Sequence, residues 1–139
     1  MTQVLATFPG KFGDILWALP AIRSASEALG VPISLQIAGA YRSILSLLQA
    51  QPYLGRVVAD DTWVVQDTAP MTPRVPPHVH QEETAWDHVF HLGYRGWPSE
   101  PLPYETFQCL RAQWPAGVIG AAPVDLARPW MEWKPYVFM

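Results

Sequence analysis

The segment from residue 4 to residue 30 constrains the fold of this chain more than any other part. It opens with the continuous apolar run Val-Leu-Ala-Thr-Phe at residues 4–8, which is typical of a strand buried on both faces of a parallel sheet. A short loop containing Gly10 and Gly13 follows, and then a mostly apolar stretch that ends at Gly30. This order predicts a strand, a tight turn and a helix that stops at a glycine. The segment is therefore the first half of a βαβ unit.

The alternation of strands and helices continues along the chain. Two further strands and a short helix complete a βαβαβ unit, and a fourth strand, another helix and an extended run follow. In chain order these segments are residues 33–38, 41–49, 56–59, 86–92, 104–114 and 118–122. A proline-rich loop at about residues 66–85 interrupts the pattern, and we expect it to be mobile or functional. The pattern predicts an α/β fold, a Rossmann-like three-layer αβα domain with a mainly parallel sheet.

Composition limits the classes of function. The chain has 139 residues, the length of one domain, and half of them are apolar while 15% are charged, as in a globular protein. A net charge of −3 gives no electrostatic reason to expect nucleic acid as a partner. The single cysteine, Cys109, fits a reducing compartment. Neither a signal peptide nor an apolar run of about 18 residues is found, so we expect a cytoplasmic protein.

The C-terminal residues indicate where a domain ends. Residues 1–127 account for the predicted α/β domain, and residues 128–139 have the character of a linker followed by the apolar run Tyr-Val-Phe-Met. Such a run is typical of a buried strand. We expect this strand either to add to the same sheet or to begin a second domain.

A candidate site lies where the first and fourth predicted strands end. Open α/β sheets bind ligands at the carboxyl ends of their strands, at the point where strand order reverses. The two loops there carry Lys11, Asp14, His91, Tyr94 and Arg95. Asp14 has two interpretations, since it could accept a proton from a substrate hydroxyl or act as the N-cap of the helix. His91 and Arg95 also have two interpretations. Either both bind a polar or anionic substrate, or His91 is a structural histidine and Arg95 is a solvated surface residue.

Motifs for metals and nucleotides are not found. The histidines form two scattered pairs, which with one cysteine do not make a zinc pattern; they are His78, His80, His88 and His91. The glycines beside Lys11 fit neither the phosphate-binding loop of nucleoside triphosphatases nor the dinucleotide pattern, which needs a third glycine. The sequence therefore argues against a hydride-transfer enzyme, and we expect no metal or other cofactor.

The residues Gly13-Asp14-Ile15-Leu16, followed by Ala18-Leu19-Pro20-Ala21-Ile22-Arg23, resemble the opening of the heptosyltransferase-like glycosyltransferases, which form family 9 and have the GT-B fold. The likeness is best over residues 4–58 and weaker at 86–92 and 128–130. It implies that the chain is one half of a GT-B architecture, the acceptor-side domain of two Rossmann-like domains. It also implies an inverting, metal-free transfer from a nucleotide sugar to a hydroxyl of a sugar or glycolipid acceptor.

The resemblance also implies roles for individual residues. The aspartate after the glycine is regarded as the catalytic base of that family, and it corresponds to Asp14. The position of the two loops beside Asp14, and not the resemblance, makes Lys11, Gly13, His91, Tyr94 and Arg95 the expected substrate-binding residues. The nucleotide-sugar donor would bind to a second domain or chain that is missing here, so residues 1–139 alone are not expected to be catalytic. A homodimer and a peripheral contact with a membrane are both compatible with this function.

Two alternatives stay open. The first is a non-catalytic binding or assembly module, which would keep the fold and pair with another chain through its C-terminal tail, for example by strand addition. The second is a small-molecule nucleotide binder, which nucleotides alone would stabilise against heat.

Overall fold

The computed structural model describes residues 2–63, 75–80, 86–94 and 103–114. Within these ranges the strands are β1 (Val4–Thr7), β2 (Ile33–Ala38), β3 (Leu54–Asp60) and β4 (His88–His91). The helices are α1 (Phe12–Leu29), α2 (Leu45–Gln49) and α3 (Pro103–Arg111), and a 3₁₀ segment, Gly39–Ile44, leads into α2.

The four described strands form one parallel sheet in the order β3-β2-β1-β4. β1 pairs with β2 on one side and with β4 on the other, so that Ala6 lies opposite both Leu35 and Phe90. The chain moves outward from β1 to β3 and then crosses to the far side of β1, so strand order reverses between β1 and β4. The Rossmann-like α/β class, the parallel sheet and the predicted position of the reversal are confirmed.

The first two strands are central in the sheet and are buried throughout. Every residue of β1 and β2 is buried, as their continuous apolar character predicts. β3 lies at the edge of the described sheet, and of its residues only Leu54 and Val57 are buried. A single hydrophobic core joins the sheet to α1 and α3, and its members from these helices include Ile15, Leu19, Ile22, Phe107 and Leu110.

α1 is continuous through Pro20. It begins at Phe12 and runs to Leu29, although a proline inside a helix lacks one backbone hydrogen-bond donor. It ends at Gly30, which has the left-handed conformation (φ 72°) and donates its N–H to the Ser26 carbonyl at 2.8 Å. The predicted glycine stop is therefore confirmed. Neither α1, with 18 residues, nor any other helix in the described ranges is long and apolar enough to cross a membrane.

The second predicted helix differs from the structure. The sequence predicts one helix over residues 41–49, whereas the chain forms the 3₁₀ segment and a five-residue α2, with non-helical dihedrals at Tyr41. The reason is a close approach at the start of this segment. A Cβ on Gly39 would lie 2.8 Å from the Asp61 Cα, so the chain leaves β2 in contact with the loop that follows β3.

Several predictions concern residues outside the described ranges. They are the strand at 118–122, the boundary between 127 and 128, the tail at 128–139, Arg95 and much of the proline-rich loop at 66–85. These stay predictions.

Candidate functional site

β1 and β4 end side by side, and their last residues are in contact. Thr7 lies opposite His91 in the sheet, and the Leu92 N–H donates to the Thr7 carbonyl at 2.9 Å. The Thr7 hydroxyl and the His91 Nδ1 are 2.8 Å apart and share a hydrogen bond whose direction follows the imidazole tautomer. The hydroxyl thus fixes the His91 ring at the carboxyl edge of the sheet.

Asp14 lies in the first turn of α1 and is not its N-cap. Lys11 is the N-cap, and its carbonyl accepts the Ile15 N–H at 2.9 Å. The capping interpretation of Asp14 is therefore wrong, although a carboxylate in the first turn still interacts favourably with the helix dipole. The half-buried carboxylate is instead bound by the Tyr94 hydroxyl, which donates to Asp14 Oδ2 at 2.5 Å.

Tyr94 reaches Asp14 from the loop after β4. It is 7% exposed, and its ring centroid is 5.8 Å from that of Phe8. Burial raises the pKa of the Tyr94 phenol far above its usual value, and the hydrogen bond and charge of Asp14 and the nearby Tyr41 act in the same direction. A hydrogen bond from the Lys11 backbone opposes them. The phenol therefore stays protonated at neutral pH and remains a donor to the carboxylate.

Gly10 makes this contact sterically possible. A Cβ at this position would lie 2.5 Å from the Phe8 Cε1, 2.7 Å from the Asp14 Cβ and 2.9 Å from the Tyr94 hydroxyl. No side chain fits there without displacing the others. Gly13 is different, because it is exposed and a Cβ on it would meet nothing within 4 Å. The packing thus requires Gly10, although Gly13 is the glycine of the sequence motif.

α3 holds the loop that carries Tyr94. Gln113, which follows this helix, donates from Nε2 to the Gly93 carbonyl at 2.9 Å, and its Oε1 accepts the Gly93 N–H at 2.8 Å. Two hydrogen bonds to one residue fix the backbone directly before Tyr94. Sequence reasoning missed both Gln113 and Gly10, since neither a glutamine after a helix nor a loop glycine indicates its distant partner.

Phe12 and Tyr41 form an aromatic rim beside this carboxylate. Phe12 is the first residue of α1 and is 42% exposed. Its ring meets Tyr41 nearly edge-on, with 5.1 Å between centroids and 81° between planes. Tyr41 lies near enough to Tyr94 to raise the pKa of its phenol, and the sequence interpretation did not assign this rim to the site.

The structure brings together most of the predicted site residues. Asp14 and Tyr94 are in direct contact, and Lys11 and Gly13 lie exposed in the turn that leads to Asp14. His91 ends the neighbouring strand, where it contacts Thr7. Arg95 lies outside the described residues.

The described residues contain no group of three histidine, cysteine, aspartate or glutamate side chains that could hold a metal ion. His88 and His91 are three residues apart on β4, and such residues point to opposite faces of a sheet. The His88 ring stacks on Phe90, with 5.9 Å between centroids and 8° between planes.

No protein-family model matches the chain, and no curated protein or solved structure is significantly similar to it. The likeness to heptosyltransferase-like proteins therefore rests on the motif residues alone.

Proposed function

We propose that this chain is the acceptor-binding half of an inverting, nucleotide-sugar-dependent glycosyltransferase of the heptosyltransferase-like kind, with Asp14 as the base. The observation that carries the proposal is the position of this carboxylate. It is half-buried, lies in the first turn of α1 and follows the strand at which the order of the sheet reverses. Ligands of open α/β sheets bind at such positions.

A catalytic base needs a fixed orientation and an oxygen that can accept a proton. Tyr94 supplies the orientation by donating to Oδ2. The opposite carboxylate oxygen, Oδ1, is then the one that receives the proton of the acceptor hydroxyl. Tyr94 is a positioning residue in this scheme, because its protonated phenol holds the carboxylate and takes no proton itself.

The transfer reaction follows from this assignment. Asp14 Oδ1 takes the proton of an acceptor hydroxyl while the hydroxyl oxygen forms a bond to the anomeric carbon of the donor sugar. The bond from that carbon to the phosphate oxygen breaks, and the nucleoside diphosphate leaves with its electron pair. Attack from the side opposite the leaving group inverts the configuration. The donor is held by a second domain or chain, so this half alone binds acceptor without turnover.

The surroundings of Asp14 suit a sugar or glycolipid acceptor. A sugar ring presents C–H groups on its faces and hydroxyl groups at its edge. The exposed Phe12 ring, which packs on Tyr41, can contact the C–H groups. The exposed Lys11 and the His91 imidazole lie where they can bind hydroxyl or anionic groups.

The test is transfer by the protein that the complete reading frame encodes. Release of nucleoside diphosphate would be measured from a panel of nucleotide sugars, with sugar and glycolipid acceptors present. We expect Asp14→Asn to lower kcat by a factor of about 10² to 10⁴, the usual contribution of a general base. The control is Glu105→Gln, which removes an exposed first-turn carboxylate from α3 and should leave the rate unchanged.

Two results would contradict the proposal. One is an Asp14→Asn protein that transfers sugar at the wild-type rate. The other is a complete, folded protein that releases no nucleoside diphosphate with any donor and acceptor pair, which would favour the binding or assembly module.

A further inference from the structure

A second polar region lies at the carboxyl ends of β2 and β3, on the same edge of the sheet as Asp14. A cavity of about 510 Å³ is found there, a volume within the range of small-molecule sites. Its walls are the end of β3, the loop that follows it and part of the segment 75–80. None of these residues takes part in the transfer reaction proposed above.

Gln36 builds the inner wall of the cavity. It is 1% exposed, and its Nε2 donates to the Asp60 Oδ2 and to the His78 carbonyl, both at 2.9 Å. Its Oε1 accepts the His80 N–H at 2.8 Å. A single buried amide thus ties the segment 75–80 to the end of β3. The cavity is therefore shaped by buried hydrogen bonds before any ligand arrives.

Asp60 is the oriented charge in this cavity. Its Oδ1 accepts both the Thr62 N–H at 2.9 Å and the Thr62 hydroxyl at 2.6 Å. Burial on its own would raise the pKa of Asp60, but the hydrogen bonds from Thr62 and Gln36 and the charge of His78 outweigh it and lower the pKa below its usual value. The carboxylate is therefore ionised at neutral pH, with a fixed direction.

The other lining residues add one more carboxylate and apolar surface. The described lining contains neither lysine nor arginine. Asp61 adds a second carboxylate, and this one forms an ion pair with Arg42 from the 3₁₀ segment. Val58 and Val79 add apolar surface. An oriented carboxylate beside apolar side chains is suited to an organic cation, because a charge-assisted hydrogen bond to the carboxylate and apolar contact can be made together.

We propose that this cavity binds a small organic molecule through a protonated amine, with the ammonium group against the Asp60 carboxylate and the apolar part against Val58 and Val79. The side chains of His78 and His80 line the same space. The site is independent of the proposed transfer reaction.

Two probes of similar shape test the charge requirement. Cyclohexylamine is protonated at neutral pH, and cyclohexanol carries a neutral hydroxyl in its place. We expect saturable NMR shifts of the Thr62, His78 and His80 amides with cyclohexylamine and none of comparable size with cyclohexanol. Equal binding of both probes, or no saturable shift with cyclohexylamine, would overturn the proposal. Shifts that appear equally at the exposed Asp87 and Glu105 would show non-specific attraction and overturn it too.

A matched pair of variants tests the position. The His78 side chain is exposed, and Gln36 binds only the backbone carbonyl of this residue, so substitutions there should leave the fold intact. His78→Lys places a fixed positive charge near Asp60, and we expect it to weaken cyclohexylamine binding at least about tenfold. His78→Gln, which adds no charge, should keep most of the affinity. Equal affinities for the two variants would place the ammonium group elsewhere and refute the assignment to Asp60.

Discussion

The two halves of the carboxyl edge each orient one carboxylate, but they do so by different means. Asp14 is held by Tyr94, which is 80 residues away in the chain. The packing around this contact is so close that position 10 has no room for a side chain larger than that of glycine. Asp60 is held largely by Thr62, two residues away, and it lines an open cavity. The contact between Tyr94 and Asp14 forms only when the sheet is assembled. The hydrogen bonds from Thr62 to Asp60 need only a local turn.

The difference indicates how each site should respond to change. A closely packed long-range contact is sensitive to volume, because neighbouring groups cannot move apart without disturbing the sheet. A locally hydrogen-bonded carboxylate beside a cavity should tolerate a larger neighbouring side chain but respond to an added charge. Three predictions test how tightly the Asp14 region is packed and whether the two regions are independent.

The largest effect is expected from Gly10→Ala. The new methyl group would lie 2.5 Å from the Phe8 Cε1 and 2.7 Å from the Asp14 Cβ, so the turn or the Tyr94 ring must shift. We expect a loss of about 2–3 kcal/mol in the free energy of unfolding, as for other overpacked sites. Urea denaturation followed by circular dichroism measures it.

Gly13→Ala is the matched control for this prediction. A Cβ there meets nothing within 4 Å, and alanine is the better helix former, so stability should be unchanged or rise by up to about 1 kcal/mol. If Gly10→Ala were as stable as Gly13→Ala, the close packing around Asp14 would not exist, and the two carboxylates would not differ in the way described.

The second prediction compares the two glutamines that support these regions. Gln36→Met removes the amide that ties the segment 75–80 to Asp60, and Gln113→Met removes the one that binds Gly93. Each should cost about 1–3 kcal/mol, since buried backbone groups lose their partners. The cost should be larger for Gln36, because it is 1% exposed whereas Gln113 is only half-buried.

Amide hydrogen exchange tests whether the two regions are independent. Gln36→Met should speed exchange of the His80 amide, which donates to Gln36, and leave that of Gly93 unchanged. Gln113→Met should do the reverse, because the Gly93 amide donates to Gln113. Faster exchange at both amides in either variant would show that the two halves of the edge open together.

The sequence predicted the elements whose patterns are local. β1 and β2 were predictable because continuous apolar runs indicate central parallel strands, and Gly30 marked the end of α1. The 3₁₀ segment was not, because it depends on the close approach of Gly39 to Asp61, which follows β3. Local pattern therefore predicted these strands and the end of the helix, and failed where two loops meet.

The candidate site shows the same division. Topology alone indicated that the loops carrying Asp14, His91 and Tyr94 would lie together, and the structure has Asp14 and Tyr94 in contact. The bonding within the site was not predictable, since Asp14 could equally have been the N-cap. The supporting roles of Gly10 and Gln113 depend on partners that spacing in the sequence does not show.

The smallest effect is expected in the alkaline titration of the tyrosines. The pKa of the Tyr94 phenol is raised by burial and then by Asp14, and that of Tyr53 is raised by burial, with the Arg23 charge opposing it. A tyrosine whose pKa is raised on folding contributes stability that is full below its unfolded value of about 10 and is lost as pH rises through the folded value. Both phenols should therefore stay protonated above about pH 10 until the protein unfolds.

Asp14→Asn isolates the part of this effect that belongs to the site. The substitution removes the negative charge and leaves at most a neutral amide oxygen as acceptor, so the Tyr94 phenol should ionise at lower pH, while Tyr53 should titrate as in the wild type. Residue-specific NMR of the tyrosine ring carbons measures both. If both tyrosines titrated as in the wild type, the pKa of the Tyr94 phenol would be raised by burial and not by Asp14. The long-range hydrogen bond between Tyr94 and Asp14 would then contribute little energy. A shift confined to Tyr94 would show that its phenol is coupled to the Asp14 carboxylate, 80 positions away in the chain.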